Sequence, residues 1–203
     1  MDHFGTLMFT PAVLARQERA GSRDSYARMR DRPPADGLGA AERAFIESRD
    51  SFYLASVSET GGPHVQHRGG PTGFLRVLAP DRIGFADDRG NRQYVTAGNP
   101  SGGDDRVALF LMDDPRKVRL KILGHARLQD AAPADLAAAV ATPGQGRVKR
   151  IVEISVTAFD WNGPQFITPR YTKADIERML GPRLAELQQE NAALREALAE
   201  REG

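Results

Sequence analysis

Between residues 52 and 159 the chain holds seven short runs with strand chemistry, set too close together for helical crossovers. They are residues 52–58 (FYLASVS), 63–68 (PHVQHR), 74–78, 82–86, 107–112 (VALFLM), 119–128 (RLKILGHARL) and 150–159 (RIVEISVTAF). A parallel strand pair needs a connection of about a dozen residues or more, usually a helix. Most of the gaps here are shorter, and the first, Glu59-Thr60-Gly61-Gly62, reads as a hairpin turn. Only residues 92–98 and 133–140, in the two longer gaps, read as short helices. The pattern therefore predicts a mainly β, α+β chain built on a six- to seven-stranded antiparallel barrel. VALFLM has no polar position, so it predicts a strand buried on both faces. Gly124 inside an otherwise alternating run predicts a bulge.

The flanks are helical. Thr10-Pro11 reads as a cap and first helical residue, opening a charged helix over about residues 11–29 that Gly21-Ser22 weakens in the middle. Residues 31–39 (DRPPADGLG) have linker composition, and residues 40–48 form a further helix. After Gly181-Pro182, Leu184, Leu187, Asn191, Leu194 and Leu198 recur at alternating spacings of 3 and 4. This is a heptad seam with an asparagine at one a position, which favours a parallel two-stranded coil. An amphipathic helix lying on its own domain is the alternative. The expected organisation is a helical extension and linker over 1–39, a barrel domain over 40–172, and a coil-forming helix over 173–203.

The sequence is 203 residues long with a formal net charge of +1, so no overall field draws it to nucleic acid or an anionic membrane. It has no cysteine, which removes disulfides and thiolate metal sites and fits a reducing cytoplasm. No apolar run of about 18 residues is present, and the opening residues lack a signal-peptide pattern. A soluble, cytoplasmic protein is expected. His64, His67 and His125 are too scattered to form a metal site; the first two are three apart on one strand and point to opposite faces.

Arg68, Arg76, Arg92 and Arg119 stand in or beside turns rich in glycine and small polar residues. A guanidinium is always charged and matches phosphate oxygens in a two-pronged fashion. Such arginines beside a sheet point to a phosphorylated ligand, and the Gly90-Asn91 turn into a helix adds backbone donors. The bland alternative for each is a solvated strand or helix face.

From residue 52 onward the sequence resembles the pyridoxamine 5'-phosphate oxidase-like flavoproteins. The matching blocks are FYLASVSETGGPHVQHRGG, GFADDRGNRQYVTAGN and DDRVALFLMDDPRKVRLKILGHARL, with a weaker echo in FDWNGPQFITPRYT. The resemblance covers roughly residues 40–172. It implies a split β-barrel and an FMN held at a homodimer interface. By position it assigns Arg68, Arg76, Asn91, Arg92 and Gln93 to the phosphate and ribityl end. Asp87 would approach the ring, with Trp161 at the ring edge. Arg119, with Lys121 beside it, would reach the isoalloxazine from the partner subunit. Gln93 departs from the family's lysine and gives up a charge.

The resemblance does not extend to the vitamin B6 oxidase itself. That enzyme's substrate phosphate is held by a tyrosine and an arginine–serine cluster, whereas DAAPADLAAAVATPGQGRVKR here contains no tyrosine or serine. Phe166, Ile167 and Thr168 stand near the place of its closing arginine–histidine pair. What the resemblance implies is an FMN-dependent oxidoreductase for an unidentified small organic substrate, with NAD(P)H or oxygen as the other reactant. Two alternatives stay open: a flavin carrier without chemistry, and a relative binding haem or a deazaflavin in the same cleft. His125 would be the axial ligand for haem. In this fold segments like the N-terminal one often drape over the cleft; the favoured alternative is that its Arg16, Arg19, Arg23, Arg28 and Arg30 are ordinary helix surface.

Overall fold

The computed structural model describes residues 1–30, 33–87, 94–130, 133–142, 148 and 150–202. Among them are seven strands: β1 (Ser51–Val57), β2 (Pro63–Gly69), β3 (Arg76–Ala79), β4 (Arg82–Ala86), β5 (Arg106–Asp113), β6 (Val118–Gln129) and β7 (Ile151–Asn162). They form one sheet in the order β2-β1-β5-β6-β7-β4-β3, with every pairing antiparallel. β2 and β3 are its edges, so the sheet is not closed. This is the α+β split barrel expected from the strand spacing and the resemblance.

The sheet is strongly rolled. β2 and β4 lie five places apart, which in a flat sheet would separate them by roughly 24 Å. Instead Arg68 on β2 bonds Asp87 just past β4 at 2.7 Å. Phe52 on β1 packs edge-on against Phe85 on β4 and stacks on Phe74, with centroids 5.4 and 5.6 Å apart. The bulge helps produce this curvature. Registry between β6 and β7 slips between Leu123 and Gly124, and a bulge bends its strand. Glycine is required there because a Cβ would collide with the Ser155 carbonyl oxygen.

Alternation places one residue in two inside the roll. Phe52 and Leu54, Leu109 and Leu111, Leu120 and Ile122, Ile83 and Phe85, and Val152 and Ile154 fill a single apolar core. The apolar run of β5 is buried on one face only: Val107, Leu109 and Leu111 point inward, while Ala108, Phe110 and Met112 are half-buried on the outer face. An apolar sequence reports what a face can bury, and a single chain leaves this face partly open.

Helices flank the sheet. α1 (Phe4–Met8) was not legible in the sequence; His3 Nδ1 caps it by accepting from the Gly5 amide at 3.2 Å. The charged segment divides into α2 (Pro11–Arg19) and α3 (Arg23–Arg30) at Gly21, whose φ of 68° ends the first helix. α4 (Ala40–Glu47) is sewn to β3: Arg43 donates to the Val77 carbonyl at 2.7 Å, and the Val77 amide donates to Glu47 at 3.1 Å. α5 (Val95–Ser101) and α6 (Ala134–Val140) occupy the two long gaps. Residues 114–117 and 164–203 form a separate compact unit containing α7 (Lys173–Glu202). α7 starts nine residues before Pro182 and runs through it. No helix among the described residues is long and apolar enough to cross a membrane.

Candidate functional site

The inner face of the sheet changes character at its β2 edge. Registry sets Arg68, Gln66 and His64 beside Phe52, Leu54 and Ser56, so three polar side chains share the face of the apolar core. An edge strand has a neighbour on one side only, which leaves room for polar groups at the rim. There Arg68 Nη1 donates to Asp87 Oδ1 at 2.7 Å. Arg150, just before β7, brings Nε to 2.9 Å from Asp87 Oδ2. The Asp87 amide also donates to the Arg150 carbonyl, which extends the β4–β7 pairing by one step.

Asp87 thus holds two guanidiniums, and Arg150 Nη1 also lies 3.8 Å from the exposed Asp130 carboxylate. The Asp87 side chain is 7% exposed, against 18% for Arg68 and 22% for Arg150. Nε of Arg68 and Nε of Arg150 are both buried without a hydrogen-bond acceptor, the latter attracted to Asp87 but off the bonding line. A buried donor left unpaired costs about 1–3 kcal/mol. The two Nε donors are therefore short of well-directed acceptors. Tyr94 lies under Arg150, with Cζ 5.1 Å from the ring, and has a left-handed φ of 56°. Farther along the rim α5 contributes Thr96, whose hydroxyl donates to Gln66 Oε1 at 2.6 Å, and Asn99, which donates to Ser56 at 2.8 Å.

Of the residues singled out in the sequence, Arg68 and Asp87 meet here. Asn91, Arg92 and Gln93 lie outside the described residues. Arg76 stands opposite Gly84 while its neighbour Val77 turns into the core opposite Ile83, so Arg76 faces away from the cluster. Arg119 and Lys121 lie on the outer face, registered with Met112 and Phe110. Lys121 Nζ sits 3.2 Å from Asp160 and 5.0 Å from the Phe4 ring centroid. Trp161 donates to Glu42 at 2.8 Å and packs edge-on against Phe45, fastening α4 to the sheet. A single chain does not bring Arg119, Lys121 or Trp161 to Arg68. His125 is an exposed partner of Asp105 at 2.7 Å, and no cluster of three metal-binding side chains exists among the described residues.

Arg150, Gln66 and Thr96 were not anticipated. Arg150 could have been suspected only by pairing the start of the last strand with the end of β4.

The family model described as pyridoxamine 5'-phosphate oxidase matches residues 38–161, more than half of the sequence. The chain belongs to that family. Every element of the rim cluster falls within the matched range. Among solved structures it is similar to HupZ of Group A Streptococcus, at 14% identity over 66% of this chain and 99% of that one, with a TM-score of 0.49. An FMN-binding protein from Syntrophomonas wolfei is 14% identical over 71% of this chain and 96% of that one, TM-score 0.44. General Stress Protein 26 from Bacillus anthracis is 13% identical over 60% and 91%, TM-score 0.41. No curated protein matches the chain.

Proposed function

We propose that the protein is an FMN-dependent oxidoreductase of the family, with the flavin phosphate at the Arg68–Asp87–Arg150 rim. The observation that carries this reading is the pair of buried guanidinium Nε atoms of Arg68 and Arg150, neither in a well-directed hydrogen bond, on an apolar-floored rim where both side chains converge on Asp87. A phosphate dianion supplies the acceptors these donors lack, and charge-assisted bonds of that kind are the stronger sort. Asp87 keeps both forks oriented, Tyr94 covers Arg150, and Thr96 with Gln66 offers hydroxyl and amide groups for a ribityl chain. FMN, when bound, supplies the hydride or electron transfer, and the protein's part is to hold and orient it and to exclude water.

The ring end of the site is proposed to come from a second copy. The outer face around Arg119 carries half-buried Phe110 and Met112, with Tyr53 49% and Val65 62% exposed beside them. That is an apolar surface of the sort a homodimer covers. In such a dimer Arg119 of one chain is the donor for the ring bound at its partner's Arg68, where a positive group stabilises the reduced flavin. The substrate is a small organic molecule and NAD(P)H or oxygen the other reactant.

The test is the absorption spectrum of the purified protein, taken again after FMN is added and the sample desalted. Retained flavin bands that bleach with NAD(P)H support the oxidoreductase. Retained bands with no turnover on a panel of acceptors point instead to a flavin carrier. A colourless protein that releases FMN overturns the flavin assignment, and a haem Soret band replaces it with the haem alternative.

A further inference from the structure

The seam of α7 is exposed along its length. Leu184, Leu187, Leu194 and Leu198 are each 43–58% exposed, and after Pro182 the other residues of the helix are charged, polar or small. A helix showing a continuous leucine stripe to water exposes the face that coiled coils bury. The heptad runs a184, d187, a191, d194, a198, which places Glu190 at g and Arg195 at e of the following heptad.

We infer that α7 pairs with α7 of a second copy of this chain as a parallel, in-register coiled coil beginning just after Pro182. Three features select this occupant and this direction. Parallel pairing sets each g residue against the partner's next e residue, so Glu190 of each chain meets Arg195 of the other, giving two symmetric ion pairs. Within one chain neither residue has an ion pair among the described residues, while Arg183 and Glu186 already satisfy one another at 2.7 Å. Asn191 at an a position faces its own copy across a parallel axis, where two amides can bond. Antiparallel pairing stacks a against d and would bury that amide on leucine.

Pro182 explains where the seam begins. It lacks the N–H that would bond one turn back, and its ring crowds the carbonyl of residue 178. Before it Leu180 still falls at d, but the preceding a position is Glu177, and Ile176 and Met179 fall at g and c, so the apolar seam is not continued. Three heptads span roughly 30 Å and are marginal alone. They are sufficient when another contact already raises the effective concentration of the two helices. A parallel coil has its two-fold axis along the helices, the symmetry of an isologous dimer, so it is compatible with a paired barrel. The inference itself requires no ligand.

The chain has no cysteine, so single introduced thiols report pairing without background. Leu184→Cys and Leu198→Cys, each in the full-length chain, are oxidised with diamide and resolved on a non-reducing gel. The parallel coil predicts that each variant cross-links to itself, roughly ten-fold or more above Gln189→Cys on the outer f position. Adding Arg195→Glu to Leu198→Cys lowers its cross-linking, and adding Glu190→Arg as well restores it. The inference is overturned if neither single variant cross-links above the control. It is equally overturned if cross-links form only in a mixture of the two, the signature of antiparallel helices. Circular dichroism on each variant confirms that α7 remains helical.

Discussion

Arg68 on β2 and Asp87 beyond β4 meet across the mouth of an open sheet, Nη1 to Oδ1 at 2.7 Å, although their strands are five places apart in it. The same contact closes the roll and assembles the rim. Fold and candidate site are therefore coupled at this pair: the side chain that holds the sheet's curvature is also the one offering an unpaired donor.

Removing the shared counter-charge should be costly. Asp87→Ala leaves Arg68 and Arg150 facing each other with little solvent, and breaking such a pair costs about 3 kcal/mol. Urea denaturation should show this loss. Arg68→Met should cost less in the Asp87→Ala background than in the wild type. Additive losses in that double-mutant cycle would mean that the pair is not coupled.

The proposed phosphate end makes a separate prediction about ligand. Arg68→Gln and Arg150→Gln each remove a charged donor worth about 1.5–3 kcal/mol, so FMN affinity should fall roughly ten- to hundred-fold. Quenching of flavin fluorescence on titration measures it. Unchanged affinity in a folded Arg150→Gln variant would remove Arg150 from the site.

Trp161 tests packing against ligand contact. Trp161→Phe loses the bond from Nε1 to Glu42, at 2.8 Å, while keeping an aromatic ring against Phe45. A bond to a charged acceptor is worth about 1.5–3 kcal/mol, so the melting temperature should drop by several degrees. A shift of the bound flavin spectrum without a change in melting would instead place Trp161 at the ring edge.

The strands were legible because an alternating face leaves a period of two in the sequence, as in residues 52, 54 and 56 of β1. Gly124 was legible as a bulge because a glycine inside a strand has few other reasons to be there. Arg150 was not, since it becomes a site residue only when β7 lies beside β4, a pairing between residues more than sixty positions apart. α1 is five residues long and carries no apolar period, so nothing local marks it. The outer face of β5 misled for a related reason: composition shows that both faces can be buried, and only the single chain's geometry shows which one is.

The bulge itself can be tested. Gly124→Ala drives a methyl group into the Ser155 carbonyl and to within 2.9 Å of Ile154 Cγ2. Both belong to β7, so relief requires moving a strand, and overpacking of this kind costs about 1–3 kcal/mol. A lowered denaturation midpoint with an unchanged slope is expected. Wild-type stability would mean that the register slip can accommodate a side chain.

α7 carries its own dependence on pH. Thr172 caps it through a reciprocal pair: the Asp175 amide donates to the Thr172 hydroxyl at 3.1 Å, and the Thr172 amide donates to the Asp175 carboxylate at 3.0 Å. The Thr172 hydroxyl also donates to that carboxylate at 2.7 Å, and these bonds hold the Asp175 pKa below its ordinary 3.8. A carboxylate lowered on folding stabilises above its unfolded value, and the contribution is lost as pH falls through the folded one. Helicity of α7 should therefore be level from neutrality down to about pH 4 and decline below 3.8. Asp175→Asn should begin with less helix at neutral pH, and the gap from wild type should close in acid. A gap that persists at the lowest pH would show that the carboxylate's charge contributes nothing to the cap.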